Sequence, residues 1–295
     1  MSTFNTIGFV LSNYDFREAD KIFSIYTATH GKIEGLAAGV RKIKSKLRAH
    51  LEPFSVVDIM IAHGRHYDRL IGATQQKNYK RIKSNYRLLI ISYQLLEIVD
   101  QLTKLHHPDS RIFNLLKEAF DFYETHDFTS SLLNLSNNNE IIEQFNNLTI
   151  EQSDNEIIGQ SPQSNYQLSI INYQLFLRSY FILNFLSLLG YKPELEICVR
   201  CKTLVSENFH FSFHDGGVIC KRCVANGDRQ VSVESIGILK QYLSKNLKDC
   251  CDIGNDESSK LVDNFLLYHL DRPLKTSILV KAEEQESLAI RDQSV

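Results

Sequence analysis

Two hydrophobic periods divide the chain. Up to about residue 80, apolar residues come in short runs rich in Ile, Val, Phe, Tyr and Thr, broken by polar or glycine-containing segments. The runs are TIGFVLS (6–12), KIFSIYT (21–27), KIEGLAAGV (32–40), FSVVDIMI (54–61) and YDRLIGATQ (67–75). Such runs predict five strands, because β-branched and aromatic side chains suit a pleated surface with a buried side. His30-Gly31 and His63-Gly64 predict tight turns after the second and fourth runs. Gly35 and Gly39 predict the bulges or sharp coiling that a small barrel requires. Five strands in about 75 residues fit a closed barrel of the OB type, with a five-stranded open sheet as the competing arrangement.

From about residue 83 the period lengthens. Leu88, Ile91, Leu95, Ile98, Leu102 and Leu105 are spaced three and four apart, which makes one face of a helix. Pro108 and Asp109 end it and start the next, whose stripe is Ile112, Leu116, Ala119 and Tyr123. Residues 134–165 are rich in Asn, Gln, Ser and Glu and predict a flexible surface excursion. Residues 166–189 are apolar nearly all round, as a centrally buried helix would be. Further helical patterns run near 234–247 and 257–270, and the end of the chain reads as a frayed tail. The expected class is α+β. A barrel (1–80) leads to a helical domain in two parts (81–197 and 224–295), with a small cysteine-bearing module between them (198–223).

That module is CVRCKTLVSENFHFSFHDGGVICKRC, with Cys198-x2-Cys201, eighteen residues, then Cys220-x2-Cys223. Each Cys-x-x-Cys turn presents two thiolates to one edge of a tetrahedron, so the spacing predicts a four-cysteine zinc ribbon. Phe209, Phe211 and Phe213 alternate as a strand, Asp215-Gly216-Gly217 reads as a hairpin turn, and Val218-Ile219 leads back to the second knuckle. Four thiolates on Zn²⁺ leave a charge of about −2. Arg200, Lys202, Lys221 and Arg222 stand in or beside the knuckles and can offset it. A closed shell has no open position for water or substrate, so the zinc is expected to be structural. His210 and His214 are either spare ligands or polar positions on a ribbon strand. Cys250-Cys251 have no matching pair and read as core or surface thiols.

Charge changes the picture of the barrel. The chain's formal net charge is −2, yet residues 1–87 hold 15 Lys+Arg and 7 Asp+Glu. Five of the eight positions 41–48 are cations: Arg41, Lys42, Lys44, Lys46 and Arg48. An asymmetry of this kind points to an anionic partner for the barrel. OB-folds bind oligonucleotides across strands 2 and 3 and the loops after strands 1 and 4. Here Arg17 and Lys21 follow strand 1, Lys32 lies in strand 3, and His63, Arg65, His66 and Arg69 follow strand 4. Together with 41–48 these cations form a candidate phosphate-binding surface; a solvated loop is the plainer reading. Tyr14, Phe16 and Tyr26 are candidate stacking platforms or core aromatics.

Other classes recede. The chain holds no phosphate-binding G-x-x-x-x-G-K-[ST], no dinucleotide fingerprint, no H-E-x-x-H and no carboxylate cluster suited to two-metal nuclease work, so an enzyme is not expected. The N-terminus lacks a secretory signature, FILNFLSLLG (181–190) is too short to span a bilayer, and six cysteines suit a reducing cytosol. Two alternatives to a DNA-binding protein remain: a zinc-ribbon module that assembles protein partners, and a metal-dependent hydrolase of nucleic acid.

TIGFVLSNYDFREADKIFSIYT, THGKIEGLAAGVRK and SKLRAHLEPFSVVDI, with the later four-cysteine ribbon, resemble the RecO family of bacterial recombination mediator and DNA repair proteins. The segment around 134–165 makes this chain longer than is usual there. The resemblance implies an OB-fold followed by a helical body with an inserted ribbon. It implies binding of single- and double-stranded DNA, annealing of complementary strands, and a cytoplasmic, nucleoid-associated place of action. It also implies partnership with RecR and with the acidic C-terminal tail of single-stranded-DNA-binding protein, and indirect loading of RecA.

Overall fold

The computed structural model describes residues 2–126, 176–250 and 254–276. The excursion expected at 134–165, the C-terminal tail, Cys251 and the first part of the helix expected at 166–189 lie outside the described residues. Five strands form first: β1 (Thr3–Asp15), β2 (Lys21–Thr27), β3 (Gly31–Ala37), β4 (Ser55–Ala62) and β5 (Asp68–Asn78). They close into a barrel in the order β1-β2-β3-β5-β4, the OB topology. All pairs are antiparallel except β3–β5, where Gly35 and Leu36 stand opposite Asp68 and Arg69. The open-sheet alternative is excluded.

Closure depends on β1. Its first half pairs with β4, from Thr3↔Ala62 to Phe9↔Val56, and its second half with β2, from Gly8↔Thr27 to Asp15↔Lys21. The change of partner falls at Gly8, where a Cβ would lie 2.5 Å from the Ile25 side chain and 3.0 Å from the Tyr26 carbonyl oxygen. A bulge follows between Val10 and Ser12. Phe9, Val10 and Leu11 are consecutive and all buried, because both sides of β1 are covered. Val10 points inward with Phe23, Ile25, Ile33, Val57, Ile59, Ile61 and Leu70. Phe9 and Leu11 point outward and join a second, larger core with Tyr26, Phe54, Val56 and Tyr79.

That second core belongs to the helices. A single turn, α1 (Lys80–Ser84), leads into α2 (Tyr86–Leu102) and α3 (Ser110–Thr125). Asn85 and Asp109 cap the latter two by accepting from Leu88 N–H and Arg111 N–H. The stripe expected to reach Leu105 stops at Leu102: Leu105 is 41% exposed and bridges to Lys32 of β3 instead. Helix α4 spans 176–188, and its Leu177, Phe181, Ile182, Leu183, Phe185 and Leu186 are all buried, as a central helix must be. Helices α5 (Val233–Ser244) and α6 (Asp256–His269) close the body, α6 with a reciprocal Asn255/Ser258 cap.

Polar joints fasten the barrel to this body. The Asp100 carboxylate of α2 accepts from Ser12 Oγ at 2.7 Å and Ser24 Oγ at 2.6 Å, and Lys32 Nζ lies 3.6 Å from it. Asp121 of α3 accepts from Lys77, Tyr79 and Lys117, and Glu124 accepts the N–H groups of Arg81 and Ile82 at the start of α1. Gly31, at φ +69°, comes so close to the 103–109 turn that a Cβ would sit 2.3 Å from the His107 carbonyl oxygen. Asp100→Ala strips two hydroxyls of their acceptor and takes the carboxylate from beside a largely buried ammonium, which keeps its bond to the Asp100 main-chain carbonyl. It should cost about 2–3 kcal/mol, seen as a lower denaturant midpoint with little change in slope.

Candidate nucleic-acid interface and metal centre

The β3–β4 connection, residues 38–54, carries the cation cluster and is built from turns. Gly39, at φ +65°, leads the chain out of β3, and its N–H donates to the Asp20 carboxylate at 2.7 Å. Arg41 N–H donates to the Ala19 carbonyl, which ties the connection to the β1–β2 loop. Val40 and Leu51 are buried in the barrel core and Leu47 packs against it. Between these anchors, turns closed by Lys42 N–H to Gly39 O (3.1 Å) and Ser45 N–H to Lys42 O (2.9 Å) place Lys42, Lys44, Lys46 and Arg48 in solvent. None of the four has an acidic group within ion-pair distance among the described residues.

The other expected cations divide. Arg41 and Lys21 both reach Asp15, at 3.2 and 3.4 Å, and Lys21 also donates to Asn13. They line a cleft of about 480 Å³ with Arg48 and Glu52. Arg17 is exposed, its guanidinium 5.1 Å from the centre of the Phe16 ring. Phe16 meets Tyr67 edge-on at 5.0 Å, so the β1–β2 and β4–β5 loops touch. Arg65, His66 and Arg69 are exposed beside them. Lys32 differs from the rest: its ammonium is held by Asp100, and its side chain is 13% exposed. Tyr26 is fully buried and donates to the Asp109 carbonyl, which removes it as a stacking platform. Tyr14 and Tyr67 remain about half exposed. Tyr67 is the aromatic that sequence reasoning missed; it stood at the head of the fifth strand run, and nothing in that run's period marked it as outward. With Ser24, Tyr26 and Lys32 bonded to the helical body, the middle of the β2–β3 face is closed. The loops are what stays open to a ligand.

The cysteines converge as their spacing predicts. Knuckle turns are closed by Lys202 N–H to Cys198 O and by Cys223 N–H to Cys220 O. The four Sγ atoms all lie within 4.8 Å of one another, with Cys201 and Cys220 3.6 Å apart. A tetrahedral ion with about 2.3 Å bonds to sulfur needs its ligands about 3.8 Å apart, so the cluster fits one. Hydrogen bonding to Thr203 holds the Cys201 thiol down at about 6, while hydrogen bonding to Cys201 and Cys220 pushes Cys223 up to about 12. Thiols this close resist full ionisation, and a divalent cation is the partner that makes four thiolates stable together. Arg200 braces the site by donating to Asp215, Asp228 and the Cys223 carbonyl. His210 and His214 are engaged with Asn208 O and Asp215, outside the sulfur cluster.

The ribbon is not a free appendage. Strands β6 (His210–Ser212) and β7 (Gly217–Ile219) pair as the hairpin, and β8 (Arg229–Gln230) adds a third strand beyond the second knuckle. Phe209, Phe211, Val218 and Ile219 are buried in the core of the helical body, with Phe211 edge-on to Phe265 of α6 at 5.7 Å. No helix among the described residues is long and apolar enough to cross a membrane.

Comparison with known proteins agrees at both ends of the chain. Family models described as recombination protein O N terminal and C terminal match residues 1–79 and 167–278, together more than half of the chain. The DNA repair protein RecO of Cutibacterium acnes is 27% identical over 286 residues, covering 95% of this chain and 100% of the relative. That of Alkaliphilus metalliredigens is 25% identical over 274 residues, covering 90% and 94%. That of Dehalococcoides mccartyi is 26% identical over 285 residues, covering 96% and 92%. An OB barrel with a cationic β3–β4 loop, a helical body fused to it, a four-cysteine cluster inside that body and relatives matched along nearly their whole length lead to one assignment: the chain belongs to the RecO family of DNA repair proteins.

Proposed function

We propose that this protein binds single- and double-stranded DNA without regard to sequence, anneals complementary strands, and helps to place a RecA-type recombinase on single-stranded DNA, with no bond-making chemistry of its own. The observation that carries the reading is the set Lys42, Lys44, Lys46 and Arg48, held in solvent by a loop anchored at Val40, Leu47 and Leu51 and left without acidic partners among the described residues. A polyanion satisfies such a set, and phosphates carry no sequence information. Arg17, Arg65 and Arg69 extend the surface, and Tyr14 and Tyr67 offer faces for unpaired bases. Arg41 and Lys21 join it by exchanging Asp15 for phosphate, whereas Lys32 serves the joint to α2. RecR, the acidic tail of single-stranded-DNA-binding protein, and RecA through them, are the partners this family role calls for. The four cysteines hold a structural zinc ion.

The test is a salt titration of the whole protein on unrelated single-stranded oligonucleotides, beside an annealing assay and an incubation of end-labelled DNA with Mg²⁺. Unrelated sequences should bind with similar affinities that fall together as salt rises, complementary strands should pair faster, and the labelled strand should stay whole. Absence of binding at low salt, or accumulation of cleaved product, overturns the reading.

A further inference from the structure

Ile43 is 95% exposed, the most exposed of the large apolar side chains among the described residues. Its apolar neighbours along the loop, Val40, Leu47 and Leu51, all turn inward to the barrel core. Ile43 follows Lys42 in the turn closed by Ser45 N–H to Lys42 O, so it stands at the turn's apex, with Lys42 before it and Lys44 and Lys46 after it. A loop whose whole task was to carry charge gains nothing from an aliphatic group at its tip. A β-branched side chain is stiff at χ1 and projects as a fixed body rather than a mobile arm. Resting on the DNA-binding reading above, we infer that Ile43 is an apolar wedge that enters the base stack of single-stranded DNA while the flanking lysines hold phosphates on either side.

The parts divide the work. The ammoniums bring the strand to the loop and fix its backbone, and Ile43 then replaces water with the faces of two adjacent bases. Apolar side chains inserted between base steps unstack them in this way. The consequence suits annealing: a strand whose bases are parted and turned from one another is open to pairing with an incoming complement. The cations on both sides of Ile43 favour bases as its occupant over an apolar pocket on another protein, which would have to tolerate the same row of ammoniums.

The experiment uses the full chain and an oligodeoxyadenylate carrying 2-aminopurine, whose fluorescence is quenched while it is stacked. Wild-type binding should raise the fluorescence several-fold. Ile43→Ala should lose most of that rise and slow annealing about three- to tenfold, yet keep the wild-type slope of log affinity against log salt, since no charge is removed. Ile43→Leu, which keeps an apolar tip, should restore the signal. At this exposure neither variant disturbs the core, and unchanged circular dichroism checks that. Salt-dependent binding with no fluorescence rise in the wild type, or a full rise in Ile43→Ala, overturns the wedge and leaves the DNA surface standing. Absence of binding altogether overturns both.

Discussion

Lys42→Glu/Lys44→Glu/Lys46→Glu should leave the protein folded and weaken its binding to single-stranded DNA of any sequence by roughly a hundredfold or more at low salt. An ammonium beside a phosphate gains about 1 kcal/mol in water, and reversing the charge converts each gain into repulsion. Each phosphate neutralised on single-stranded DNA also releases about 0.7 counterions, so the slope of log affinity against log salt should become shallower by roughly 2. Annealing should fall in parallel, because the same surface must screen two approaching polyanions. All three side chains are exposed, whereas the loop is held by Val40, Leu47, Leu51 and main-chain hydrogen bonds, so stability should scarcely change. The decisive comparison is the salt titration of wild type and triple variant side by side. A folded variant with the wild-type affinity and slope would move the DNA surface elsewhere.

Cys198→Ser/Cys220→Ser should release about one zinc per chain, measured by elemental analysis of protein purified without chelator. The structural cost should reach several kcal/mol, because metal-binding free energy is folding free energy where the site is built by the fold. Here the loss spreads. Phe209, Phe211, Val218 and Ile219 are core residues of the helical body, so a loosened ribbon opens the face of α6 at Phe265. The thermal transition should fall markedly, while DNA binding well below that transition should persist, since the cationic loop is on the barrel. Full zinc retention in the double variant would refute the site.

The strands and the cysteine cluster were legible for local reasons. The five strand runs announce themselves because β-branched residues cluster between turns containing His30-Gly31 and His63-Gly64. The cysteines do so because a tetrahedron imposes close pairs. What the sequence did not disclose is which side of each strand meets the helices. Tyr26 and Lys32 looked like ligand-facing residues of an OB surface, yet Asp109 and Asp100 hold them. Those partners lie 83 and 68 residues away in the chain, and no period encodes the pairing. Leu105 continued the helical stripe in spacing but fell past a turn to which Thr103 contributes an extended conformation. β8 is two residues, Arg229-Gln230, with no pattern to detect.

Phe9, Leu11, Tyr26 and Phe54 give the barrel an apolar exterior, and that has a consequence for synthesis on the ribosome. Phe9 and Phe54 pack against Phe120, with Phe113 also against Phe9, so the barrel is covered as soon as α2 and α3 have emerged. The opposite sides of those helices meet α4, whose described residues, 176–188, lie more than fifty positions further along the chain. While the intervening stretch is being translated, the nascent chain displays a broad sticky surface that its own later residues must seal. A partly made chain of this kind is a natural client for a chaperone that shields apolar faces, and slow codons placed within that interval would lengthen its exposure to aggregation.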